Sequence, residues 1–314
     1  MALPNPLANK LVVLVGGSGF VGAHVAAELL ARGCRLRIAA RNPEKAFRLK
    51  PLANLGQLQF ARCNAADPRS LEACIAGADA VVYLVGTFGS NQQALQADGA
   101  GHAARAAAAA GAQAFVYVSA IGADAAKDGG YYRTKGEGEQ KVLAAFPRAT
   151  IIRPSTVFGE DGGFVPMFAQ LVASLPVMPV FGAQSQMQPV FVDDLAAGIV
   201  HALGDPDKHG GQTYEATGPD VLTMDQIHRL IAQAQHRHPT LFAMPGPLAK
   251  LVAALPLTPI NSEQLAMLDE GSVATPGAPG LAALGVTPQP LSLFLDRWMV
   301  RYRKQGRFGD QRTA

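Results

Sequence analysis

The sequence has few charged residues and no long uninterrupted apolar run. Only 16% of its 314 residues are charged, and 27 lysines and arginines against 24 acidic residues leave a net charge of +3. Because nucleic-acid-binding domains are usually far more basic, we expect no nucleic-acid partner. The most apolar late stretch, residues 241–260, is interrupted by four prolines and a lysine. We therefore predict no transmembrane segment.

Cysteine is also scarce. The chain has three cysteines, Cys34, Cys63 and Cys74. They lack the spacing of a metal site, and an odd number argues against a disulfide framework, so we expect reduced thiols and a cytoplasmic protein. The first residues have no charged n-region, so no signal peptide is expected. His228, His236 and His238 have no carboxylate constellation nearby, which predicts a solvated helix end and no metal site.

Short apolar runs alternate with helical segments in the first half of the chain. The predicted strands are Lys10–Val15, Arg35–Ala40, Gln57–Arg62, Ala80–Val85, Ala114–Ser119 and Ala149–Pro154. Helices are predicted over Phe20–Arg32 and over the alanine-rich stretch Gln93–Ala110, each followed by a glycine. Strands that alternate with helices pair in parallel through right-handed crossovers, so the fold class is α/β, a Rossmann-type doubly wound parallel sheet.

The pattern changes after Pro154, where prolines and glycines become frequent. Residues 188–203 look like a strand that runs into a helix, with Asp193 or Asp194 as the N-cap. Residues 213–217 are a strand candidate, and from Thr223 the chain is predicted to be mostly helical, with a last helix over 291–303. The predicted domains are a Rossmann domain over 8–158, joined by 188–218, and a smaller, mostly helical substrate or partner domain over 159–187 and 219–314.

A glycine-rich turn separates the first strand from the first helix. Gly16, Gly19 and Gly22 are spaced three apart. In such turns one glycine permits the turn, one lets a pyrophosphate approach the backbone and one lets the helix pack on the sheet, while the helix N-terminus offers N–H groups to the phosphates. The turn predicts dinucleotide binding, and an ordinary strand-to-helix turn is the alternative. The residues expected to bind are Gly16, Ser18, Gly19, Phe20, Val21 and Gly22.

The GxxGxxG spacing resembles that of the short-chain dehydrogenase/reductase superfamily, in its extended and atypical branches. Val15 stands where many members have threonine. The resemblance implies further cofactor contacts at the ends of later strands. They are Asn64 beside the adenine, Leu84, Val85 and Gly86 under the cofactor, and Pro154 and Val157 beside the nicotinamide.

The end of the second strand indicates which dinucleotide is bound. NAD-binding folds usually place an acid there for the ribose 2′-hydroxyl, whereas an arginine suits the 2′-phosphate of NADP. Ala39 and Ala40 are not acidic, and Arg41 follows them. Arg41 therefore favours NADP(H), with NAD(H) left open and a merely solvated basic loop as the alternative.

The superfamily's catalytic signature is a serine followed by Tyr-x-x-x-Lys, which Ser119, Tyr131 and Lys135 supply. Positions four apart share a helix face, so Lys135 would hold the nicotinamide ribose and lower the pKa of the Tyr131 phenol. Tyr131 would then act as general acid or base on an oxygen that Ser119 orients. Because Tyr131 and Lys135 also contact ribose in a pure binding protein, a set retained only for binding is equally open.

Nearly the whole chain resembles one branch, the bacterial relatives of the nucleotide-binding accessory subunit of respiratory complex I. The resemblance rests on VGGSGFVGAHVAAELLARG, FVYVSAIGADAAKDGGYYRTKGEGE, IIRPSTVFGEDGGF and QPVFVDDLAAGI, and most distinctively on residues 255–271 and the basic tail RYRKQGRF. It implies tightly bound NADP(H), complex I subunits as partners, and peripheral attachment to the inner face of the membrane. The alternative is an active NADP(H)-dependent oxidoreductase or epimerase that uses Ser119, Tyr131 and Lys135 on a carbonyl or alcohol.

Overall fold

The computed structural model describes residues 6–128, 130–253, 261–304 and 306. Parts of two sequence predictions, residues 254–260 of the apolar stretch and the tail from Arg307, lie outside these ranges. The chain divides into two compact units. Unit 1 comprises Met1–Pro154, Val192–Ala216 and Thr275–Thr287, and unit 2 comprises Ser155–Phe191, Thr217–Ala274 and Pro288–Ala314. Thr275–Thr287 thus belongs to unit 1, whereas the sequence analysis assigned it to the smaller domain.

The strands of the described residues are short. In chain order they are β1 Leu11–Val15, β2 Arg35–Ala40, β3 Leu58–Arg62, β4 Ala80–Tyr83, β5 Ala114–Val118, β6 Thr150–Pro154, β7 Val157–Phe158, β8 Val177–Val180, β9 Gln186–Met187, β10 Val190–Phe191, β11 Thr213–Ala216, β12 Leu222–Thr223 and β13 Thr240–Ala243. The six strands predicted for the first half are all present, with ends within two residues of the predicted ones.

The helices alternate with these strands. In chain order they are α1 Phe20–Ala31, α2 Pro68–Ile75, α3 Gly99–Ala109, α4 Gly130–Ala145, α5 Val165–Ser174, α6 Val192–Gly204, α7 Pro206–His209, α8 Met224–Ala234, α9 Gly246–Ala253, α10 Ser262–Glu270 and α11 Ser292–Trp298. A π-helical segment, Gln93–Asp98, precedes α3, and 3-10 helices cover Pro43–Leu52, Leu281–Leu284 and Met299–Tyr302. None of the helices in the described ranges has the length and apolarity needed to span a bilayer.

Unit 1 is built on a seven-stranded sheet in the order β11-β6-β5-β4-β1-β2-β3, in which every neighbouring pair is parallel. All five residues of β1 are buried, as expected for a central strand covered on both faces. Helices α2, α3 and α4 share a core with one face of the sheet, and α1 packs against α6. The Rossmann-type α/β fold predicted from the sequence is confirmed.

The alanine-rich helix begins differently from the prediction. Its first part, Gln93–Asp98, is π-helical, and only Gly99–Ala109 is α-helical. The hydroxyl of Tyr83 donates to Leu95 O, and that of Tyr117 donates to Gln96 O at 2.9 Å. These bonds from the sheet satisfy carbonyls of the widened turn, which stabilises the π geometry.

The predicted N-cap at Asp193 or Asp194 is wrong. Helix α6 starts at Val192, directly after β10, so both acids lie inside its first turn. There they still interact favourably with the positive end of the helix dipole. The position before the helix is Phe191 of β10, whose apolar side chain cannot accept a hydrogen bond from the first turn.

Unit 2 contains three two-stranded sheets and several helices. Its aromatic cluster joins Phe158, Phe191, Phe294 and Trp298. The predicted last helix divides into α11 and the 3-10 helix that follows it.

The solvated helix end predicted at His228 is wrong. This histidine is buried on α8, bonds to Met224 O through Nδ1 at 2.6 Å, and lies against the Phe168 ring. Burial lowers its pKa, because the charged form is poorly solvated there.

Helix α4 approaches the π-helical segment so closely that Gly138 has no room for a side chain. A Cβ there would overlap Gln96 O and the Tyr117 hydroxyl. We predict that Gly138→Ala lowers the free energy of unfolding by about 1–3 kcal/mol, the usual effect of overpacking. Gly204→Ala is the control, since a Cβ at this helical glycine of unit 1 would make only ordinary contacts, the nearest at 3.5 Å. Urea denaturation compares them, and equal midpoints would contradict the close packing.

Candidate functional site

The glycine turn joins β1 to α1 through backbone hydrogen bonds. The Gly16 N–H donates to Ala39 O at 2.8 Å, and the Gly19 N–H donates to Gly16 O at 3.1 Å. Gly16 has a φ of +86°, a left-handed conformation that glycine adopts without strain. The strand therefore ends at Val15, and the chain turns at Gly16 toward the start of α1.

Two further glycines of this turn are required by close packing. A Cβ on Gly17 would lie 2.7 Å from the Leu14 Cβ, and one on Gly22 would lie 2.6 Å from the Gly17 Cα. Gly19, by contrast, is exposed, and a Cβ there would approach nothing nearer than 3.4 Å. The predicted site residues Ser18, Phe20 and Val21 are all partly exposed.

The N-terminus of α1 has no side-chain cap. Its N-cap, Gly19, is extended, and the first turn contains no acid. The first N–H groups of a helix lack intrahelical partners and attract anions. This end of α1 suits a phosphate group.

Arg41 and Asn64 follow β2 and β3, at the same carboxyl edge of the sheet as Gly16. Arg41 is exposed. Asn64 stabilises its own turn, because its Oδ1 accepts from the Ala66 N–H at 3.2 Å, while its backbone N–H donates to Ser70 Oγ at 2.9 Å. The exposed Arg41 therefore lies just beyond β2, and a turn fixed by hydrogen bonds lies beyond β3.

Leu84, Val85 and Gly86 follow β4, on the other side of β1. The predicted strand ran to Val85, whereas β4 ends at Tyr83. The Leu84 N–H still donates to Val15 O at 2.9 Å, which keeps this segment beside the glycine turn. A Cβ on Gly16 would lie 3.2 Å from Val85 Cγ2.

Lys135 lies on α4 and points to the ends of two strands. Its Nζ donates to Val118 O at 2.8 Å and to Val85 O at 3.2 Å. Only 2% of the residue is exposed, and burial lowers its pKa to about 7, although the nearby Glu139 carboxylate acts in the opposite direction. Burial therefore disfavours the charged form of this amine relative to a lysine in water.

Ser119 directly follows β5. Its backbone N–H donates to Ile152 O at 2.7 Å, which holds it at the sheet edge. Its Oγ is buried and has no hydrogen-bond partner among the described residues. Because buried hydroxyls are normally paired, this atom is a candidate for a ligand contact.

Tyr131 and Lys135 come together at Gly86. A Cβ at Gly86 would lie 3.7 Å from the Tyr131 hydroxyl, the Lys135 Nζ and the Gln96 Oε1. The Tyr131 ring stacks on Phe88, with centroids 4.7 Å apart. Sequence reasoning missed Gln96 and Phe88, since neither belongs to a motif.

Tyr132 is buried, with the Lys127 ammonium 4.3 Å from its ring centroid.

Pro154 and Val157 lie in different units. Pro154 ends β6 in unit 1, and its carbonyl accepts from the Ile121 N–H at 3.1 Å. Val157 begins β7 in unit 2 and pairs with Val190 of β10. In the described ranges, no group of three or more His, Cys, Asp or Glu side chains is arranged to hold a metal ion.

Comparisons with known proteins agree with this geometry. An NAD(P)H-binding family profile matches residues 16–169, so the cofactor is a nicotinamide dinucleotide. In solved structures, the fold is similar to that of a nucleoside-diphosphate-sugar epimerase from Staphylococcus aureus, with 15% identity, a TM-score of 0.71, and coverage of 91% of this chain and 99% of that one.

Two curated relatives are similar over most of their length. The NADH dehydrogenase [ubiquinone] 1 alpha subcomplex subunit 9 of Mus musculus is 31% identical, over 95% of this chain and 81% of that protein. The ceramide reductase of Caulobacter vibrioides is 30% identical, over 76% of this chain and 75% of that protein. The chain therefore belongs to the family of NAD(P)H-binding proteins that includes the alpha subcomplex subunit 9 of NADH dehydrogenase.

Proposed function

We propose that this protein binds NADP(H) and serves as an accessory or assembly partner of respiratory complex I, peripheral to the inner face of the membrane. The observation that carries the proposal is the stack of Phe88 on Tyr131, at 4.7 Å between centroids and 28° between planes. An aromatic side chain from the loop after β4 occupies one face of the ring that a substrate would approach. Such an arrangement favours holding a nucleotide over rapid exchange of substrates.

The residues present fit a dinucleotide. Pyrophosphate would bind at Gly19 and the uncapped end of α1, where the backbone is open. The 2′-phosphate of NADP(H) would bind Arg41, whose guanidinium is exposed at the edge of the sheet. The nicotinamide half would lie toward Gly86, where Tyr131 and Lys135 converge.

Unit 2 has an apolar surface that suits a protein partner. Its exposed residues come from the start of β8, from β13 and from α9. They are Leu175, Val177, Phe242, Leu248 and Leu251, with between 39% and 62% of each residue exposed. Of these, Val177 and Phe242 lie on the paired strands β8 and β13, and exposed apolar side chains on neighbouring strands are typical of a binding surface.

A second candidate function is reduction or epimerisation of a carbonyl or alcohol substrate. The unpaired Ser119 Oγ favours it, since that hydroxyl could hold a substrate oxygen. A bound nicotinamide would supply hydride chemistry at this point. Tyr131 would donate a proton to the oxygen, and the Lys135 ammonium would favour ionisation of the phenol.

We predict different effects for two glycine substitutions in the turn. Gly22→Ala should lower the melting temperature, because its Cβ would meet backbone atoms of Gly17 at 2.6 Å. Gly19→Ala should leave the melting temperature unchanged but weaken NADPH binding at least tenfold, since its methyl group would cover the open backbone. Differential scanning fluorimetry and fluorescence titration measure the two effects. Unchanged NADPH affinity in Gly19→Ala would place the pyrophosphate elsewhere.

Arg41 should decide between the two dinucleotides. Hydrogen bonds to charged groups contribute about 1.5–3 kcal/mol, so Arg41→Ala should weaken NADPH binding roughly 10- to 100-fold and leave NADH binding unchanged. Arg35→Ala is the control, because Arg35 lies at the other end of β2 and bonds to Asn9 O. If Arg41→Ala weakened NADPH and NADH binding equally, or weakened neither, the preference for NADP(H) would be refuted.

Tyr131→Phe separates the two candidate functions. For an accessory protein, the wild type should not oxidise NADPH with quinones, ketones or nucleotide sugars, and Tyr131→Phe should still co-purify with complex I subunits. Tyr132→Phe is the matched control, since this neighbour is buried and its ring lies against Gly122 and Lys127. The opposite result would favour the enzyme: the wild type and Tyr132→Phe turn over a substrate, Tyr131→Phe does not, and no complex I subunits co-purify.

A further inference from the structure

Gln96 is a fully buried polar residue that no sequence motif includes. It lies on the π-helical segment, with 0% of the residue exposed. Its Nε2 donates to Thr87 O at 3.2 Å and to Thr134 Oγ1 at 3.1 Å. Its Oε1 is buried and has no hydrogen-bond partner among the described residues. Because buried polar atoms are almost always paired, this oxygen points to a ligand.

The orientation of this amide follows from its neighbours. The Thr134 hydroxyl lies 3.1 Å from Tyr131 O and 3.3 Å from Gly130 O, so its hydrogen is directed to the helix backbone. It can then only accept from Gln96, which places the amide nitrogen beside it. Both Nε2 hydrogens are thus used, and the group left facing Gly86 is an acceptor.

Lys135 provides the complementary donor. A lysine ammonium has three N–H groups, and two of them donate to Val85 O and Val118 O. The Lys135 Nζ and the Gln96 Oε1 lie at the same distance, 3.7 Å, from the Cβ position of Gly86. A donor and an acceptor that face one point match a hydroxyl group, which accepts one hydrogen bond and donates another.

We propose that Gln96 is a ligand-binding residue, whose Oε1 accepts a hydrogen bond from a ribose hydroxyl of the dinucleotide while Lys135 donates to the same oxygen. The inference rests on the proposed dinucleotide site. The sheet order assigns this hydroxyl to the nicotinamide half. Gly16 follows the central strand β1, Arg41 follows β2 on one side, and Gly86 follows β4 on the other. A ligand with its 2′-phosphate at Arg41 and its pyrophosphate at the turn extends its other ribose toward Gly86.

The test compares NADPH with 2′,5′-ADP, which contains the adenine half alone. In Gln96→Leu, which removes the acceptor, NADPH affinity should fall roughly 3- to 10-fold, the effect of one hydrogen bond, while 2′,5′-ADP affinity should not change. Gln93→Leu is the matched control on the same segment, because Gln93 bonds to Glu137 on the surface. Isothermal titration calorimetry measures all three proteins with both ligands.

A second variant tests the same contact without changing Gln96, in case Gln96→Leu folds poorly. Gly86→Ala adds a methyl group at ordinary contact distances, so it should fold normally and yet displace the hydroxyl. It should reduce NADPH affinity at least as much as Gln96→Leu does, and it should leave 2′,5′-ADP affinity unchanged. Unchanged NADPH affinity in both variants would overturn the proposal, and so would equal losses for NADPH and 2′,5′-ADP.

The outcome does not depend on Arg41. Should the wild type bind NADH and ignore 2′,5′-ADP, the preference for NADP(H) fails, and NADH and adenosine monophosphate replace the two ligands. Loss of NADH affinity alone in Gln96→Leu would still support the role of Gln96.

Discussion

The Lys135 side chain joins three elements of unit 1. It belongs to α4, and its amine donates to Val118 O at the end of β5 and to Val85 O just beyond β4. A buried amine can reach both carbonyls only if the helix lies close to the sheet. Gly138 permits this approach, because any side chain there would overlap the Tyr117 hydroxyl. The positions of the helix, the strand ends and the site amine therefore depend on one another.

A partly buried ion pair accompanies this amine. Glu139, one helical turn after Lys135, accepts from the Arg153 guanidinium at 2.9 and 2.6 Å. With both carboxylate oxygens bonded, Glu139 is satisfied although only 7% exposed. The carboxylate raises the pKa of Lys135, but burial outweighs it and lowers that pKa to about 7.

Binding and turnover make different demands on the same atoms. Phe88 covers one face of Tyr131, whereas the Ser119 Oγ is left unpaired where a reacting oxygen could bind. The relatives of this chain include an NADH dehydrogenase subunit and a ceramide reductase, each similar over most of its length. The glycine turn, the order of the strands and the buried lysine are compatible with dinucleotide binding alone and with turnover.

Local sequence patterns were sufficient to predict the strands of the sheet and the turn from β1 into α1, because buried strands and tight turns are encoded within a few consecutive residues. They could not reveal Gln96, whose place depends on π-helical geometry stabilised by hydroxyls from two distant strands. Nor could they show that His228 is buried, since burial depends on the elements packed around it. The binding motif is thus a property of the chain, whereas the donor and acceptor at Gly86 arise only when α4, β4 and the π-helical segment meet.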